Sequence, residues 1–189
     1  MIYVVIASIL SVAAANFDHP GRPTLDDFKK FYRIGQITYL VKRTYLSKVN
    51  GDQDPRCIYN KVLSLTDTLL KMNQSYTYDA PGYTSVSKSY PVDVTFSKSV
   101  GYDVAPLMKA DKSAEPKMKR EYRFHYYDPK ARCAVLTFKD YSGTLRCELH
   151  TWKDTATYKL YGNCENEYNY QCPGRKSYSV YLTYCPDAV

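Results

Sequence analysis

Six cysteines constrain this chain more than any other feature of its sequence. Cys133 and Cys147 stand near the starts of the two halves of one segment, CAVLTFKDYSGTLRCELHTW, which runs from Cys133 to Trp152. Strand formers from Ala134 to Phe138 give way to Lys139-Asp140-Tyr141-Ser142-Gly143 and resume from Thr144 to Trp152, so the segment predicts a β-hairpin. Cys164, Cys172 and Cys185 follow closely enough to receive ties from it, and Cys57 lies far upstream. An even cysteine count without a Cys-x-x-Cys pair points to three disulfides rather than a metal site or a reactive thiol. The sequence alone leaves their connectivity open.

A disulfide framework belongs to an oxidising compartment. The apolar run Ile2 to Val12, followed by Ala13-Ala14-Ala15, reads as a secretory signal peptide over residues 1–15, leaving residues 16–189 as one secreted, extracellular domain. No later apolar run approaches the roughly eighteen residues that cross a bilayer, so membrane insertion is not expected. The net charge of +7 favours anionic ligands or surfaces. Its only dense cluster, Lys117-Met118-Lys119-Arg120, lacks a recognition motif or a basic stripe. That cluster reads as a solvated loop, and nucleic acid is not an expected partner. Asn73-Gln74-Ser75 is a glycosylation sequon.

Periodicity then supplies the architecture. Thr24 is a good N-cap, Asp26 and Asp27 suit a first turn, and Leu25, Phe28, Phe31 and Tyr32 share one helical face, which predicts a short helix ended by Gly35. Strands are expected at residues 36–46 and 57–65, separated by the turn Asn50-Gly51-Asp52. Residues 66–73 suggest the irregular tip of a hairpin that returns through Ser75 to Tyr78. After Pro81-Gly82, two strands are expected at 84–90 and 92–100, then a polar loop over Lys109 to Lys119. Glu121 to Tyr127 resumes the sheet and turns at Asp128-Pro129-Lys130 into the central hairpin. Thr155 to Leu160 reads as a further strand, Cys164 to Cys172 as a short helix, and Ser177 to Cys185 as the last strand. About eight short strands without βαβ spacing indicate an all-β antiparallel barrel or sandwich, and an eight-stranded barrel leaves a lumen for one small ligand. The twenty-one tyrosines suit strands and can line a half-wet cavity.

Several stretches together resemble the tick salivary histamine-binding lipocalins: Tyr39-Leu40-Val41-Lys42-Arg43-Thr44-Tyr45, Cys57-Ile58-Tyr59, Tyr126 through Leu136, and Cys147-Glu148-Leu149 with the spaced terminal cysteines. The resemblance implies a secreted eight-stranded antiparallel lipocalin barrel with a short N-terminal helix and a short helix before the C-terminal strand. It implies the disulfides Cys57–Cys185, Cys133–Cys164 and Cys147–Cys172. It also implies sequestration of a host inflammatory mediator, a biogenic amine such as histamine first, by acids that hold the ammonium among aromatic rings. On this pattern Glu148 and Tyr45 are the carried-over ligand residues, with Phe124, Tyr122, Tyr39 and His150 beside them.

The departures are specific. Phe124 stands where amine binders place an aspartate, Lys48 where an acid follows the Arg-Thr-Tyr stretch, and His150 where a tryptophan is usual, with Trp152 displaced along the strand. A lone Glu148 in an aromatic barrel could instead be satisfied by tyrosine hydroxyls or by Arg123. Tyr122, Phe124 and Tyr126 alternate with Arg123 and His125, so whichever face points inward makes the lumen aromatic or cationic. An aromatic lumen with a basic mouth suits an anionic lipid, a fatty acid or a leukotriene. A third reading is a protein-binding module that uses Ala105 to Lys119 as its loop. No nucleophile elbow, phosphate loop or zinc motif occurs, so neither catalysis, a cofactor nor a metal is expected, and the barrel is expected to act as a monomer.

Overall fold

The computed structural model describes residues 22–48, 54–79, 82, 85–99, 105–112, 118–158 and 161–185. The signal-peptide reading and the Asn50-Gly51-Asp52 turn lie outside the described residues. Helix α1 (Leu25–Phe31) leads into strands β1 (Ile37–Arg43), β2 (Arg56–Leu65), β3 (Leu69–Asp79), β4 (Ser85–Ser97), β5 (Leu107–Lys112), β6 (Met118–Asp128), β7 (Cys133–Lys139) and β8 (Leu145–Trp152). A 3-10 turn (Lys153–Tyr158), helix α2 (Asn163–Gln171) and a two-residue strand β9 (Tyr178–Ser179) complete the order. Each strand from β2 to β8 pairs antiparallel with the next, β8 pairs with β1, and β1 returns to β2, which closes an eight-stranded barrel.

The closed end is built by α1. Thr24 and Asp27 form a reciprocal capping box, the Thr24 side chain accepting from the Asp27 N–H and Asp27 accepting from the Thr24 N–H. The helix thus held inserts Phe28 and Phe31 into the barrel, where Phe28 meets Phe96 at 4.5 Å and Phe124 at 5.5 Å between ring centres. Trp152 seals the floor, its indole N–H donating to the Phe31 carbonyl at 3.1 Å. The three disulfides join Cys57 to Cys185, Cys133 to Cys164 and Cys147 to Cys172.

Several local expectations are corrected. Residues 66–68 are a tight turn that leads directly into one long β3, with Thr66 N–H donating to the Leu69 carbonyl. The two strands expected around Pro91 are one strand, β4, because β5 first pairs at Val92 with Lys112 and so asks nothing of the missing Pro91 N–H. Lys109 to Lys112 is not loop but β5, and Met118 to Arg120 begins β6; residues 113–117 lie outside the described residues. Thr155 to Tyr158 forms a 3-10 turn instead of a strand, and the last strand shrinks to Tyr178–Ser179.

Candidate ligand-binding site

Inward-facing residues follow the pleat of each strand. On β8, Glu148 and His150 face the lumen, while Cys147 and Leu149 pack outward beneath α2. On β6, Arg120 and Tyr122 line the lumen and Phe124 continues that face below it. There a β-bulge between Phe124 and Tyr126 breaks the alternation. Tyr126 is thereby sent outward and Tyr127 inward against Phe31. The lumen is therefore lined by the aromatic face of β6, but that same face carries Arg120.

Glu148 is the centre of the site. It is 3 % exposed and faces four partners. The Tyr45 hydroxyl donates to its Oε1, Tyr122 donates to the same oxygen at 3.2 Å, and His150 Nε2 lies 2.9 Å from Oε2. Arg120 stands 3.6 Å from Oε1 and donates to the Tyr45 and Tyr122 hydroxyls at 3.0 Å each. Its guanidinium lies 4.1 Å from the centre of the Phe138 ring. Burial acts to raise the Glu148 carboxyl, but the hydrogen bond and charge of His150, with Arg120 and Tyr45, outweigh it and hold the group at about 2. An ionised carboxylate accepts only, so His150 Nε2 is the donor of that pair. His150 Nδ1 is buried with no protein partner. The Tyr45 hydroxyl is pushed well up, first by burial and then by the Glu148 charge, so it stays protonated.

Around this cluster the cavity has two lobes that share Gln74, Tyr90, Lys112, Arg120, Tyr122, Glu148 and His150. One lobe is walled by Met72, Val92, Val94, Met108 and Leu136; the other, beneath the open end, by Leu40, Ile58, Tyr76 and Tyr45. Each encloses about 80 Å³. Lys112 extends over the Tyr90 ring at 4.0 Å, and burial and nearby Lys88 lower its ammonium from the ordinary value. At the open end Arg43 is buried against Asp54, 2.6 Å away, and the Pro55 carbonyl. Among the described residues the lumen wall thus sets Arg120 and Lys112 against one carboxylate, Glu148, with the Arg43 charge met by Asp54.

The structure brings together Tyr45, Tyr122, Glu148 and His150. Two other candidates stand elsewhere. Phe124 is fully buried beneath the cavity against α1, and Tyr39 points out of the barrel, where it packs on Tyr59 and Tyr181, because its neighbour Leu40 takes the inward position. Arg123 turns away from Glu148 and donates to Ser99 at 3.3 Å; the cation beside Glu148 is Arg120. Arg120 closes the basic cluster that reads as a solvated loop in the sequence, yet it lies two residues before Tyr122 and so shares its face. Asn73 sits within β3 between Lys61 and Pro91, its side chain on the face opposite Met72 and Gln74.

Comparisons with known proteins agree with the barrel fold. No curated protein matches the chain. Among solved structures, AM182 in complex with serotonin is 18 % identical, with a TM-score of 0.56 over 91 % of this chain and 98 % of that one. Japanin from Rhipicephalus appendiculatus bound to cholesterol is 15 % identical, with a TM-score of 0.57 over 81 % of this chain and 96 % of that one. At such identities these likenesses establish the barrel fold. The family model for tick histamine binding protein matches residues 26–187, so the chain belongs to the tick histamine-binding protein family.

Proposed function

We propose that this protein is a secreted salivary scavenger that takes up a small host mediator without chemical change, and that its preferred ligand is an amphipathic acid, such as a fatty acid or a leukotriene. One observation carries the choice of ligand: Glu148 already has hydroxyl, imidazole and guanidinium partners, while the wall around it holds one more cation than carboxylate. A ligand ammonium would have to displace Arg120 and leave that guanidinium buried without its charge partner, which is costly. A ligand carboxylate meets Arg120 and Lys112 directly. Met72 and Met108 are unbranched and adaptable, suited to repacking around an acyl chain.

The second reading is a biogenic amine. It is favoured by the ionised, ring-surrounded Glu148 and by the serotonin held by the similar AM182 barrel. Titration calorimetry of the delipidated protein with arachidonate, a leukotriene, histamine and serotonin separates the two. Acid binding that falls about tenfold or more in Arg120→Gln and persists in Glu148→Gln supports the acid reading. Amine binding that disappears in Glu148→Gln reverses the order.

A further inference from the structure

The barrel wall is complete only because the C-terminal segment fills a gap in it. Strands β1 and β2 pair over just three positions, Ile37 with Lys61, Thr38 with Asn60 and Tyr39 with Tyr59. Beyond them the two strands separate, and residues 178–180 lie between. There β9 pairs with Lys42 and Arg43 of β1. Val180 then joins both edges, its N–H donating to the Val41 carbonyl at 2.9 Å and its carbonyl accepting from the Cys57 N–H at 2.9 Å. The Val180 side chain is 1 % exposed and packs with Leu40, Ile58 and Tyr76, three residues that line the outer lobe of the lumen.

This patch is held differently from the rest of the wall. Its strand is two residues long, whereas the neighbouring β1 has seven and β2 ten. Behind it, on the outside, lies a groove of about 340 Å³ bordered by Val41, Ala156, Tyr161, Ser179, Tyr181 and Thr183. Space on the outer side gives the segment somewhere to go, and Cys57–Cys185 keeps it tethered to β2 when it moves. Movement is required somewhere, since lobes of about 80 Å³ admit no ligand of lipid size while every wall element stays in place. Short backbone pairing beside an unfilled space marks the low end of local stability.

We infer that residues 178–185 are a lateral gate of the lumen: the segment swings outward into the groove, hinged by the Cys57–Cys185 bridge, and ligand passes between β1 and β2. The inference concerns the route of exchange; its size argument rests on the acid reading of the ligand, while the short pairing of residues 178–180 and the groove behind them stand for either ligand class.

Two measurements test it. Hydrogen exchange of the ligand-free protein reads the opening directly: the Val180 and Cys57 amides should exchange about tenfold or more faster than the Val135 amide of β7. Equal protection overturns the gate whether or not any probe binds. Stopped-flow exchange of cis-parinarate, a fluorescent fatty acid, then reads the passage in Val180→Ala, which keeps the bridge, and in Leu46→Ser, an exposed residue between Tyr45 and Ser47 of the outer lobe's lining. Association and dissociation should both quicken severalfold in Val180→Ala, with little change in Kd, and stay unchanged in Leu46→Ser. Faster exchange in Leu46→Ser alone places the route at the open end and overturns the proposal, as does weaker binding in Val180→Ala without faster association. If cis-parinarate fails to bind the parent protein, the acid reading of the ligand is at fault, and the amide exchange still decides the gate.

Discussion

At the scale of single residues, Glu148 links the site to the stability of the fold. Its carboxyl ordinarily titrates at 4.5, and in the folded barrel it is held at about 2. The unfolded chain therefore binds this proton at a higher pH than the folded one. The stabilisation is fully present above the unfolded value and is lost as pH falls from 4.5 towards 2. A difference of this size in a fully buried group corresponds to about 3 kcal/mol. Urea unfolding midpoints of the parent protein should fall through that window, and those of Glu148→Gln should fall much less steeply. Identical slopes would mean that the Tyr45, Tyr122, Arg120 and His150 contacts do not hold the carboxylate in its charged form. Arg120 differs from Glu148 in kind. Burial opposes its charge, but Tyr122, Tyr45 and Glu148 outweigh burial and keep it protonated, so removing Glu148 leaves a buried cation among ring faces. Both Glu148→Gln and Glu148→Ala remove that charge partner, but alanine also removes the acceptor of the Tyr45 and Tyr122 hydroxyls and leaves a cavity, so urea unfolding at neutral pH should find Glu148→Ala the less stable of the two.

At the scale of elements, α1 acts as the stopper of the barrel. Phe28 and Phe31 are fully buried among Phe96, Phe124, Tyr127 and Trp152. Truncating such a ring costs about 3 to 5 kcal/mol, while losing the N-cap costs about 1 kcal/mol. Thermal melts should therefore rank Phe28→Ala well below Thr24→Ala, and comparable losses would show that the helix is held by its cap rather than by its rings. The helix was legible in the sequence because its signals are local: cap, first-turn acids and a one-sided apolar face. Alternation and turn residues indicated about eight antiparallel strands in a barrel or a sandwich, and closure into an eight-stranded barrel came from the family resemblance, because closure depends on the distant pairing of β1 with β8 and β2. What escaped depends on partners distant in the chain. Lys109, Asp111 and Lys119 look like a polar loop but form outward-facing cross-strand ion pairs, Lys109 with Glu121 at 3.6 Å and Asp111 with Lys119 at 3.3 Å. The supposed protein-binding loop is in large part this β5–β6 ladder. The bulge on β6 inserts one residue and so exchanges Tyr126 for Tyr127 on the inner face, and no residue there announces it. Within the site, Tyr45, Tyr122, Glu148 and His150 could be named from sequence, whereas Arg120 required knowing that β6 begins before it.

At the scale of the whole molecule, the three disulfides share one task. Each joins a barrel strand, β2, β7 or β8, to a cysteine in the final stretch from Cys164 to Cys185, and none joins one barrel strand to another. Hydrogen bonds close the barrel; the bridges fasten α2 to its outside and hold the terminal segment in its place in the wall between β1 and β2. Cys57–Cys185 spans 128 positions and, by the chain-entropy account, contributes about 4 to 5 kcal/mol, more than the bridges spanning 31 and 25 positions. Cys133, Cys147 and Cys164 are fully buried, while Cys185 is partly accessible, so a mild reductant should reach Cys57–Cys185 first. Brief reduction followed by trypsin should then cut at Arg175 and Lys176, exposed just before β9, while the strands from β3 to β8 stay intact. Mass spectrometry of the fragments checks the order. Early cleavage within β6 or β7 would show instead that the bridges hold the barrel strands themselves together.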